Sequence, residues 1–116
     1  MDCNNITDSL PAVFLDSGGY PSEEYLAWIE GFDFSDVGLF LPFAEAICCH
    51  WHFDDWGARM MRMYGGKRTM YLSTGGWSGN EDIIYSLRKT FWWSWCWVSS
   101  KRGGHYRFEI PVKKEQ

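Results

Sequence analysis

Residues 67–89 read KRTMYLSTGGWSGNEDIIYSLRK, and the way this stretch divides decides the fold. Its first seven residues form an extended run. Asn80 is a natural N-cap, Glu81 and Asp82 suit the positive end of a helix dipole, and Arg88 and Lys89 suit the negative end. Ile83, Ile84 and Leu87 recur on one side, so the spacing predicts a helix over about 80–90. Between strand and helix lies STGGWSGN, rich in small residues. It is either a sharp turn with Trp77 tucked in as a plug or a loop built around a ligand.

Working outward, YGGK at 64–67 separates ARMMRM from KRTMYLS. A Gly-Gly pair between extended runs predicts a hairpin. With Gly65 and Gly66 as the loop, Met63 is expected opposite Arg68 and Met61 opposite Met70. Downstream, FWWSWCWVSS and HYRFEIP flank KRGG. The aromatic run alternates and reads as a strand. With Arg102 and Gly103 at the loop centre, Ser99 is expected opposite Tyr106, Trp97 opposite Phe108 and Trp95 opposite Ile110.

The N-terminal half reads as helical. Ser22 is the expected cap of SEEYLAWIEGF, with Tyr25, Leu26, Ile29 and Phe32 as its stripe and Gly31 as its stop. A second helix is expected from Asp36 or later to about Cys49, with Pro42 in its first turn and Phe40, Phe43, Ala44 and Ile47 buried. The class is α+β: one domain over 1–116, with about four mainly antiparallel strands in two Gly-turn hairpins and about three helices packed on the sheet. Residues 1–19 read as an irregular lead with a short strand at 11–15, and 111–116 as a frayed tail.

Aromatic residues make up 19% of the chain, enough to fill a small core and still leave rings for a surface. No segment reaches the roughly 18 apolar residues a membrane span needs, and the polar N-terminus does not read as an export signal. Four cysteines, two of them adjacent, make a poor disulfide framework, so free thiols in a reducing cytoplasm are expected. Charge is strongly divided. Residues 1–56 hold eleven Asp or Glu and no Lys or Arg, while residues 57–116 hold all eleven Lys and Arg with four acids, for a net charge of −4. Either the halves neutralise each other or one faces a charged partner.

Three stretches offer chemistry. In the loop, Gly75, Gly76 and Gly79 allow an anion to approach the backbone, and Ser73, Thr74 and Ser78 add hydroxyls. Trp77 and Asn80 complete that candidate set. It is neither a Walker loop nor GxGxxG, and Glu81 and Asp82 oppose a bare phosphate. The hairpin SSKRGGHYR gathers Lys101, Arg102, His105 and Arg107, suited to phosphate or an acidic surface. If tip and loop lie together, they form one anion-binding rim. CCHWHFDD lacks the spacings of a zinc site, so no metal or cofactor is expected. A Ser–His–acid set can be picked from Ser73 or Ser78, His105, and Glu81 or Asp55, yet no GxSxG elbow is present, and the reading is non-enzymatic.

The pairing of LSTGGWSGNEDII with FWWSWCWVSSKRGGHYRFEI resembles a group of short phage and prophage proteins mostly described as hypothetical. The resemblance covers about residues 50–110 and brings no activity and no catalytic residue. It implies a small phage accessory protein acting in a bacterial cytoplasm, and for proteins of that kind the expected action is binding, for example to a host defence component such as a CRISPR effector. A host protein or complex is the expected partner. A nucleotide or phosphate ligand, with the chain as a sponge for a signalling nucleotide, is the first alternative, and a small hydrolase the second. The overall acidity argues against direct nucleic-acid binding, and a dense acidic surface offers a nucleic-acid mimic instead.

Overall fold

Ser22 opens the first regular element. Its side chain accepts a hydrogen bond from the Tyr25 N–H at 2.9 Å and caps α1, Glu23–Gly31. The computed structural model describes Pro11 and residues 13–112, so the expectations for residues 1–10, Ala12 and the tail from 113 lie outside the described residues. A 3-10 turn, Val37–Leu39, capped by Asp36, leads into α2, Phe40–Cys49, with Pro42 in its first turn. The stripe Phe40, Phe43, Ala44 and Ile47 is buried as expected. Phe53 adopts a left-handed φ of 65° and starts a one-turn helix, α3, Asp54–Gly57.

Strands β1, Ala58–Tyr64, and β2, Lys67–Ser73, follow. Gly65 and Gly66, with φ of 62° and 77°, close the two-residue loop that the Gly-Gly pair predicts. Then come α4, Ser78–Arg88, α5, Phe91–Cys96, β3, Trp97–Lys101, and β4, His105–Pro111. The strands form one antiparallel sheet in the order β1-β2-β4-β3, and the α+β class holds. Helix α2 packs across β1, β2 and β4, and α1 packs on α4. Met70, Leu72, Phe108 and Ile110 are fully buried. Trp92 of α5 is wedged among them, 5.0 Å from Phe108 and 5.6 Å from Phe43 between ring centroids.

Several expectations are corrected. Among the described residues there are five α-helices where about three are expected. The aromatic run is first a helix and only then a strand, because Thr90 accepts the Trp93 N–H at 3.1 Å and caps α5. Trp92 and Cys96, one helical turn apart, are buried while Phe91 and Trp95 point outward, so Trp95 does not face Ile110. Each edge strand carries a bulge. In β1, Met60 rather than Met61 stands opposite Met70, and the Arg68 Nε donates to the Met61 carbonyl at 2.7 Å. In β3, Trp97 stands opposite Phe108 as expected, but a bulge then sets Ser99 opposite Arg107 and Ser100 opposite Tyr106. Helix α4 begins at Ser78, with Trp77 in the cap position, so Asn80 lies inside its first turn. Pro111 is no part of a frayed tail, since it stands opposite Lys67 and the Val112 N–H donates to the Gly66 carbonyl. Free thiols hold for Cys48 and Cys96 and fail at Cys49, which is disulfide-bonded.

Candidate functional site

Pairing of β2 with β4 puts Ser73 opposite His105, and this brings the two candidate motifs to one end of the sheet. The Thr74 N–H donates to the Gly104 carbonyl at 2.9 Å. Gly104 sits at φ +79°, and a Cβ there would run into the Thr74 side chain, so this close approach requires glycine. Loop and hairpin tip thus share one rim.

The loop itself is spent on turning the chain. Asn80 is fully buried. Its Nδ2 donates to the carbonyls of His52 at 2.8 Å and Thr74 at 3.3 Å, and its Oδ1 accepts the His52 N–H at 3.1 Å. Trp77 stacks on the His52 ring at 3.9 Å and touches Tyr20 at 4.5 Å. The Gly76 and Trp77 N–H groups are used by Thr74 Oγ1 and the Thr74 carbonyl. Gly75 is packed under Trp56 and Phe53. Glu81 stands exposed in the first turn of α4, and Asp82 is exposed at the start of the next. Trp77, Gly79 and Asn80 therefore hold the clasp, while Gly76, Ser78 and Arg102 lie outside the cavity described next.

That cavity, about 440 Å³, lies on the sheet face opposite the helical layer. Alternation along each strand puts Tyr71 and Ser73 of β2, His105 and Arg107 of β4, and Ser99 and Lys101 of β3 on this open face. The β1 bulge adds Arg59, opposite Tyr71, and α3 adds Trp56 at the edge. Three permanent cations and one histidine line the pocket with no carboxylate among its lining residues. Ser73 Oγ and His105 Nδ1 share a hydrogen bond of 2.8 Å. Arg107 Nη2 reaches Glu109 at 3.3 Å, while its Nε is buried and finds no partner among the described residues.

Of the expected site residues, Ser73, Lys101, His105 and Arg107 converge here, with Thr74 buried next to Ser73 and Gly75 exposed beside Trp56. Arg59, Tyr71, Ser99 and Trp56 are additional. The signal for Tyr71 was the alternation of β2. Arg59 and Ser99 were hidden by the bulges, since an unbroken register turns both toward the helical layer.

Such a face suits an anion with an aromatic or sugar body: cations for charge, hydroxyls for hydrogen bonds, rings for stacking. A serine nucleophile needs its base oriented by a third group. Among the described residues no carboxylate is hydrogen-bonded to His105, and Ser78 and Glu81 do not line the pocket. Burial pushes the Cys96 thiol up to about 12, which fits a packing role. No group of three His, Cys, Asp or Glu is placed to hold a metal among the described residues. His50 stacks on Phe14 at 3.6 Å and Cys48 contacts Met70 at 3.3 Å, so CCHWHFDD is largely taken up by packing. No helix among the described residues is long and apolar enough to cross a membrane. No protein-family model, curated protein or solved structure matches the chain.

Proposed function

We propose that the protein binds a phosphate-bearing ligand of nucleotide size on the open face of its sheet. The observation that carries this is the convergence of Arg59, Lys101, Arg107 and His105 on one carboxylate-free pocket. Tyr71 and Trp56, 38% and 52% exposed, supply ring faces for a base. The pocket volume lies within the range of small-molecule sites. The phage resemblance supports placing this binding in an infected bacterial cytoplasm, where it would sequester a signalling nucleotide. The Cys49 disulfide is the observation that weighs against a reducing compartment.

Thermal unfolding with a panel of nucleotides, pyrophosphate and inorganic phosphate tests the reading. A ligand at 100 times its Kd adds about 2.7 kcal/mol, roughly 10 °C for a domain of this size. The Arg59→Gln/Arg107→Gln double variant should lose that shift while keeping its own unfolding transition. A panel without any shift would overturn the proposal.

A second reading, contact with a host defence protein, is favoured by the outer side of α5. Phe91 and Trp95 lie 5.6 Å apart and are each more than half exposed, and Trp97 and Val98 continue the exposed run. Large exposed apolar patches mark protein contacts. A Trp95→Ala variant that still pulls its partner from host lysate would remove this patch from consideration.

A further inference from the structure

The open face extends well past the pocket, and what lies on it has an order. One cross-strand row runs Arg59, Tyr71, Arg107, Ser99, and the next runs Ser73, His105, Lys101. With strands about 4.8 Å apart, Arg59 and Arg107 flank Tyr71 at backbone separations of about 10 Å across the pair, and the second row lies about 7 Å further along the strands. Arg59 on β1 and Lys101 on β3 stand on opposite edge strands, three strand spacings or about 14 Å apart, a span wider than one phosphate. Toward the other end, Tyr64 stands opposite Lys67 on the same face, and Tyr64 is 90% exposed. Measured along β2, the track from Lys67 to Ser73 is about 20 Å long. A mononucleotide fills the pocket and leaves the rest of this track uncovered.

We infer that the open face binds single-stranded nucleic acid, its bases on Tyr71 and the neighbouring rings and its phosphates on Arg59, Arg107 and Lys101. This rests on the phosphate-ligand reading and extends it to a polymer. An exposed antiparallel sheet with aromatic and cationic side chains stacks unpaired bases and tracks their backbone, and a duplex has no free base faces to offer it. Part of the acidity that argued against nucleic acid lies away from this face, while Asp54 and Asp55 of α3 adjoin Trp56 in the chain. The acids of α1 and α2 belong to the layer on the opposite face, with Glu30 and Glu45 paired to Lys89 and Arg68. Glu109 is the one carboxylate in the open-face pairing of β2 with β4, and Lys67 and Arg107 hold it at 3.8 and 3.3 Å.

Fluorescence anisotropy with labelled ten-residue oligo-uridine and oligo-thymidine, a ten-base-pair duplex and uridine monophosphate as competitors tests the inference. The single strands should bind, with affinity falling against salt at a log–log slope of about −2, as expected for three phosphate contacts at about 0.7 each. Uridine monophosphate and the duplex should compete at least 100-fold less well. Tyr71→Ala should weaken binding about ten-fold or more with the slope unchanged. Arg59→Gln should weaken it and cut the slope by about 0.7. If uridine monophosphate binds as tightly as the oligomers, the polymer inference falls and the phosphate-ligand reading stands. If the oligomers and the whole nucleotide panel are silent, both fall. Equal competition by duplex, or oligomer binding untouched in both variants, overturns the inference as well.

Discussion

On the covered face of the sheet, Met70, Leu72, Phe108 and Ile110 meet the helices and are fully buried. The residues that alternate with them, Tyr71, Ser73, His105 and Arg107, line an open pocket. The same two central strands supply both sets. A period-2 backbone lets one strand pair build the core on one side and present a polar pocket on the other without competition for positions. Charge follows the same division. Acidic α1 and α2 lie on the covered side, while Arg59, Lys67, Lys101 and Arg107 lie on the open side and Arg68 turns toward Glu45.

The most severe way to break this division is from the covered side. Trp92 is fully buried and touches rings from both the helical layer and β4. Trp92→Ala should cost about 3–5 kcal/mol, whereas Tyr71→Ala on the open face should cost under about 1 kcal/mol. Urea unfolding of both variants measures the contrast. Comparable losses would mean that Tyr71 is a stability residue and that the two faces are not separable in this way.

Asn80 tests the place where the faces meet. Its side chain ties His52 to the loop beside the pocket through three hydrogen bonds in a buried setting. Asn80→Ala strands the His52 carbonyl and N–H, and should cost about 2 kcal/mol. Because the clasp also holds Trp77 against His52, the variant should shift the tryptophan fluorescence of the folded state. A loss of stability without that shift would confine Asn80 to the covered side of the comparison.

How far the sequence reveals this arrangement depends on the range of the forces involved. Ser22, Gly65 and Gly66 act through their own neighbours, so α1 and the first hairpin were legible. Asn80 was misread because an N-cap and a buried amide clasp use the same side-chain atoms, and the choice depends on His52, 28 residues away. The run from Phe91 to Trp97 satisfies both periods at once: Trp93, Trp95 and Trp97 alternate, while Trp92 and Cys96 repeat by a helical turn. The Thr90 cap decides between them. The bulges have the least local encoding. The β1 bulge is tied to Arg68 reaching the Met61 carbonyl, a contact made only once the strands are paired. Its consequence falls on the site, since an unbroken register sets Arg59 opposite Leu72 instead of Tyr71. Ser73, Lys101, His105 and Arg107 were legible as motif residues, and their convergence depended on β2 pairing with β4.

The smallest effect separates the faces by pH. In the helical layer, Ser86 Oγ donates to Glu30 Oε2 at 2.7 Å and the Lys89 ammonium lies 3.5 Å from its other oxygen. The Ser86 hydrogen bond first, then the Lys89 charge, hold the Glu30 carboxyl below the usual range. A carboxyl depressed in the folded state binds its proton more weakly there than in the unfolded chain. Its contribution is therefore complete above the ordinary carboxylate range and is lost as pH falls through the folded value. Ser86→Ala should remove about 1 kcal/mol or less at neutral pH, and the gap between wild type and variant should close on acidification. Ligand affinity on the open face should be the same in both proteins at every pH, because this pair joins α1 to α4 and touches no strand of the pocket. A gap that widens toward acid would reverse the sign assigned to Glu30. An affinity that follows the substitution would show that the covered layer transmits to the open face after all.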